Sequence, residues 1–132
     1  MEWHQLLQNP KAITSLYNNV PGLDGVELFF LRLSREGPRA ELNIDLSNYP
    51  DYPSPRWNPR YNAVHLWMSF GAIKDFESKG WQTSMNVNIT IDKTADEQLK
   101  VAIFDAEKSV RISFSCLFFR IDAITPYLSI IV

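Results

Sequence analysis

After Pro21-Gly22 the chain alternates apolar and polar residues for most of its length, and a period of two is the side-chain repeat of a strand, not of a helix. Ala40, Leu42, Ile44 and Leu46 alternate with Arg39, Glu41, Asn43 and Asp45, the pattern of a strand buried on one face. Val64, Leu66, Met68 and Phe70 repeat it, as do Met85, Val87, Ile89 and Ile91 against Asn86, Asn88 and Thr90. Leu99, Val101 and Ile103 follow, then Val110, Ile112, Phe114, Cys116 and Phe118, expected as one long inward row. Arg35-Glu36-Gly37-Pro38, Asp92 to Asp96 and Asp105 to Ser109 supply the turns, and Gly71 marks a turn or bulge before Ile73 to Phe76 lead toward Gly80-Trp81. Val26 to Leu33 is apolar at nearly every position, which fits a strand covered on both faces or one whose phase is shifted by a bulge. The tail from Ile121 to Val132 is β-prone apart from Pro126.

The first twenty residues read differently. Trp3, Leu6, Leu7, Ile13, Leu16, Tyr17 and Val20 fall at helical spacing, and Asn9-Pro10 divides them into two short helices or one kinked one. Asn9 is the expected N-cap and Pro10 the first helical residue, where a missing N–H costs nothing. Residues 49–61 carry Pro50, Pro53, Pro55 and Pro59, whose lost donors exclude a central strand and predict a long extended loop. The expectation is an α+β fold, mainly antiparallel β, with about seven or eight strands in a sandwich or a strongly curved sheet and one or two short N-terminal helices. A length of 132 residues suits a single domain over 1–132.

Charge and cysteine usage narrow the function. Thirteen basic and fifteen acidic residues are interspersed, without the basic excess or stripe that a phosphate backbone attracts, so nucleic acid is not an expected partner. A lone Cys116 closes no intramolecular disulfide, as in a reducing compartment. No secretory leader is visible and no apolar run is long enough to cross a membrane, so a cytoplasmic protein without a membrane partner is expected.

Chemistry-bearing constellations are sparse. Cys116 shares the parity of Phe114 and so reads as a core thiol; His4 and His65, with that thiol, lack the close spacing of a transition-metal site. Five glycines form no phosphate-cradling pattern, and Asp24, Glu27, Asp75 and Glu77 read as solvated carboxylates. No catalytic residue, metal or cofactor is expected. The suggestive stretch is the loop itself, where Tyr49, Asp51, Tyr52, Arg56, Trp57 and Tyr61 combine residue types that dominate binding hot spots with prolines that lower the ordering cost. His65 and Trp67, outward on the following strand, extend the candidate contact surface. The competing structural readings are that the loop aromatics fold back to cap an open end of the sheet and that Trp67 lies beneath the N-terminal helices. Pro50 to Pro53 also meets the minimal spacing of a polyproline ligand.

The order of short features is itself informative: Trp3 and Leu7, Pro21-Gly22-Leu23, Gly37-Pro38, Asp45-Leu46, Tyr49-Pro50, Pro55-Arg56-Trp57, the run Val64 to Phe70, Gly80-Trp81, Phe114-Ser115-Cys116, Ile121 and Tyr127. This series resembles the Immunity protein 50 family of bacterial polymorphic toxin systems across nearly the whole chain. The resemblance implies a non-enzymatic protein that binds a cognate toxin domain and blocks it. Trp3, Leu7 and Trp81 match the family pattern and are expected in the core. The alternatives are a generic protein- or peptide-binding module and, third, a small-molecule-binding or enzymatic β domain.

Overall fold

The computed structural model describes residues 2–46 and 48–130. Eight strands pair antiparallel: β1 (Val26–Ser34), β2 (Arg39–Asp45), β3 (Ala63–Gly71), β4 (Lys74–Lys79), β5 (Asn86–Lys93), β6 (Leu99–Phe104), β7 (Arg111–Cys116) and β8 (Phe118–Tyr127). They form one sheet in the order β4-β7-β6-β5-β1-β2-β3-β8. The expected fold, mainly antiparallel β with minor helix, is the one observed. The two halves of the sheet join at a narrow seam, where β1 meets β5 through Val26 with Val87 and Glu27 with Asn86.

Curvature follows from one contact. In a flat sheet β3 and β7 would stand five strand spacings apart, roughly 24 Å, yet the rings of Phe70 and Phe114 lie 5.2 Å apart at 75°. The sheet therefore folds back at the seam, and the inner rows of both halves merge into a single core. Phe70 also stacks on Phe119 at 4.7 Å, so it ties β3 to β7 and β8 at once.

The N-terminal segment is two short pieces, a 3-10 turn over Trp3–Leu6 and α1 (Lys11–Thr14), with Trp3, Leu7, Ile13 and Tyr17 buried in that core. Asn9 does not cap α1, which begins after Pro10 without a side-chain cap. Its amide instead donates to the Ile121 carbonyl at 2.7 Å and accepts from the Ile121 N–H at 3.0 Å, while the Gln8 N–H donates to the Phe119 carbonyl at 2.8 Å. β8 is an edge strand, and satisfying its free backbone groups outweighs capping one turn of helix. Pro126, next to the end of β8, costs no ladder bond on that open side.

One open alternative is decided and two further expectations change. Between the two readings of Val26 to Leu33, the structure has the bulge: the register with β2 slips between Leu28 and Phe30. Phe118 leaves the inward row and is half exposed, with Phe119 buried in its place, because the chain bends at Leu117 as it crosses from β7 to β8 and parity restarts. Trp81 is 52% exposed and is not a core residue, since it follows β4, an edge strand whose side chains are mostly solvent-facing. Within the expected β-prone tail, residues 131–132 lie outside those described.

Candidate functional site

The bulge in β1 creates a surface feature that alternation alone would not. With Phe29 as the extra residue, Phe29 and Phe30 both reach the outer face of the β1-β2-β3-β8 half instead of opposite faces. Across that face β3 presents His65 and Trp67, and β8 presents Thr125 and Tyr127. The rings meet in two groups. His65 stacks on Tyr127 at 4.3 Å and takes the edge of Phe29 at 5.0 Å; Phe30 meets Trp67 edge-on at 5.1 Å. The Trp67 indole N–H donates to Thr125 Oγ1 at 3.0 Å, which ties the ring to β8. Trp67 thus lies on the outer face of the sheet, half-buried, and not beneath the N-terminal helices.

Asp45 organises one end of this surface. The Tyr127 hydroxyl donates to Asp45 Oδ2, and His65 Nδ1 lies 2.7 Å from Asp45 Oδ1, a close contact without the alignment of a good hydrogen bond. Desolvation first, then the hydrogen bond and charge of Asp45 and the charge of Glu27, push the Tyr127 phenol well above its ordinary value of 10.0. Asn43, one step along β2 on the same face, is 6% exposed, and its Oδ1 has no partner beneath the Phe30–Trp67 pair. The rest of the face is laced by ion pairs: Arg32 and Arg39 with Glu41, and Arg120 with Asp122.

The loop residues form a second group. Tyr49 and Trp57 meet edge-on at 6.2 Å and pack half-buried against the core, so these two fold back as a cap. Asp51 accepts from the Asn18 N–H at 2.8 Å, and the Tyr52 hydroxyl donates to Asn18 Oδ1 at 2.6 Å, which pins the loop to the N-terminal segment. Desolvation, then the charge of Asp51, raises the Tyr17 phenol, whose hydroxyl donates to the Asn48 carbonyl at 2.6 Å. Tyr52 and Arg56 remain exposed, Tyr61 is half-buried, and Pro50 is buried, which removes it from a polyproline-type contact. The structure therefore groups His65 with Trp67, and Tyr49 with Trp57, on different parts of the surface.

Sequence reasoning missed Phe29, Phe30, Asp45 and Tyr127 as members of the aromatic face. The doubled phenylalanine inside a strand was a signal for the bulge; the approach of Tyr127 to His65 depends on the β3–β8 register, which sequence patterning does not set.

The other half of the sheet has a different outer surface. Thr90, Ala102 and Ser113 lie side by side across β5, β6 and β7, and this row of small side chains leaves a shallow trough. Its wall is the row Phe104, Arg111 and Lys79. A groove of about 670 Å³ runs here, lined by Lys79, Lys108 and Arg111 together with Glu77, which shares β4 with Lys79. Gly80, at φ +83°, brings the end of β4 against the turn before β7; a Cβ there would sit 1.7 Å from the Ser109 carbonyl oxygen.

Burial pushes the Cys116 thiol up to about 12, so it is an inert core group as its parity implied. Among the described residues no three His, Cys, Asp or Glu side chains converge to hold a metal ion, and no helix is long and apolar enough to cross a membrane.

Comparison with known families decides the lineage: the model of Immunity protein 50 matches residues 9–127. The chain belongs to the Immunity protein 50 family. Searches of curated proteins and of solved structures gave no match. The Immunity protein 50 match spans every strand of the sheet, both outer surfaces and the loop, and leaves out the first turn with Trp3 and Leu7.

Proposed function

We propose that this chain neutralises a cognate bacterial toxin domain in the cytoplasm by occupying the toxin's surface, with no catalytic chemistry of its own. The observation that carries the reading is the family match over residues 9–127. The geometry supports a location: the outer face of β1-β2-β3-β8, where Phe29 is 49% exposed beside His65, Trp67 and Tyr127. Clustered aromatic rings held by neighbouring strands are preorganised, so little side-chain freedom is lost when a partner covers them. Tyr52 and Arg56 are further contacts on the loop, whereas Tyr49, Asp51, Trp57 and Tyr61 hold that loop in shape.

Co-expression with the toxin encoded beside this chain tests the proposal. Growth rescue and a complex that survives size-exclusion chromatography are expected. Failure of every adjacent gene product to bind would favour a generic peptide-binding module instead.

A further inference from the structure

On the aromatic face two carboxylates are set against each other. Glu27 of β1 and Asp45 of β2 are direct cross-strand partners, and both point outward. Like charges at directly opposed positions destabilise a sheet. The three arginines of the same face do not relieve this pair, because each is already engaged: Arg32 and Arg39 with Glu41, Arg120 with Asp122. His65 and the Tyr127 hydroxyl both lie on Asp45. Among the described residues Glu27 has no cation within ion-pair distance, and it is exposed.

Beside the carboxylates stands a π surface. Phe29 is half exposed, and the His65–Tyr127 stack continues from it. An electron-rich ring face beside unpaired negative charge attracts a cation twice, through the ring quadrupole and through the carboxylate. A planar guanidinium fits such a surface better than an ammonium, since it stacks on a ring while its N–H groups reach carboxylate oxygens at the edge.

Resting on the toxin-binding reading above, we propose that this face is a receptor for an arginine side chain of the partner, seated over Phe29 against the carboxylate of Glu27, with the charge of Asp45 behind it. The repulsion between Glu27 and Asp45 is then a cost carried by the free protein and relieved on binding. This is charge complementarity with a stated sign: the toxin surface facing β1 and β2 is basic at this point.

The test uses the full chain and a small probe, arginine amide, with citrulline amide as its neutral isostere. Amide chemical shifts followed by NMR should move at Glu27, Phe29, Asp45 and Tyr127 with arginine amide, and several-fold less with citrulline amide. Glu27→Gln, an exposed change that leaves the core alone, should reduce those shifts several-fold and leave the thermal midpoint equal or higher. Equal shifts with both probes, or no shift at these four residues, overturns the proposal. With the adjacent toxin, Glu27→Gln should weaken binding about tenfold and Glu27→Lys about a hundredfold. If wild type rescues growth and Glu27→Lys binds as tightly as wild type, the arginine receptor is wrong while toxin inhibition stands. If arginine amide maps to the four residues but no adjacent toxin is neutralised, the cation receptor is supported and the toxin reading falls.

Discussion

The two halves of the sheet share one core but differ on their outsides. The β1-β2-β3-β8 half carries large rings, with Arg32, Arg39 and Arg120 paired and Glu27 without a cation in ion-pair contact among the described residues. The β5-β6-β7-β4 half carries a row of small residues, and Lys79, Lys108 and Arg111 at its groove have no acidic partner in ion-pair contact among the described residues. Both obey the same alternation, so the pattern of inside and outside fixes the fold and leaves the outer residues free to differ. The two outer surfaces thus differ in what occupies their outer rows and in the bulge of β1, while one continuous sheet carries both.

Phe70 is where that comparison is most easily broken, because its ring touches both β7 and β8. Phe70→Ala should cost about 3–5 kcal/mol, the range for a large core deletion. Urea unfolding followed separately by tryptophan fluorescence and circular dichroism should still give coincident transitions, since one core serves both surfaces. Two separated transitions would mean that the halves are independent units.

Gly80→Ala acts on the basic half alone. The new methyl would meet the Ser109 carbonyl at a position of positive φ, so a loss of about 2–3 kcal/mol is expected, with hydrogen-exchange protection falling first in β4. Toxin binding should persist in the folded fraction. If it is abolished there, the trough and not the aromatic face is the contact surface.

Trp67→Ala reverses the emphasis. Removal of a hot-spot ring should weaken toxin binding by about 2 kcal/mol, roughly thirtyfold, measured by calorimetry. Lys79→Ala with Arg111→Ala should leave the affinity within about twofold. An equal loss from both would erase the functional distinction between the faces.

Much of this contrast could be read in advance, and the reason lies in particular residues. Ala40, Leu42 and Ile44 had to share a face because the pleat admits no other arrangement, and the same logic placed His65 and Trp67 outward. The inward row was carried one residue too far, at Phe118, because strand parity holds only while the chain stays in one strand and Leu117 is the bend where it changes halves. Asn9 fits a helix cap in sequence, yet the nearby edge of β8 offered two backbone bonds in place of one. Of the site, the outward positions on β3 were legible. The Glu27–Asp45 opposition and the approach of Tyr127 were not, since both arise from register between strands distant in sequence.

The smallest expected effect probes how tightly the acidic end of the aromatic face is held. Tyr127→Phe removes the hydroxyl that donates to Asp45 and should cost about 1 kcal/mol at neutral pH. Its phenol titrates above its ordinary value of 10.0 in the folded protein, because burial and the neighbouring carboxylates disfavour the phenolate. A raised folded value means that the contribution of this group is complete below pH about 10 and is lost as pH climbs toward the folded value. The stability gap between wild type and Tyr127→Phe should therefore shrink as pH rises above about 10, followed by denaturant titration at each pH. A gap that stays constant or widens there would mean that Tyr127 does not feel Asp45 and Glu27, and the carboxylate end of the face would be less concentrated than its geometry requires.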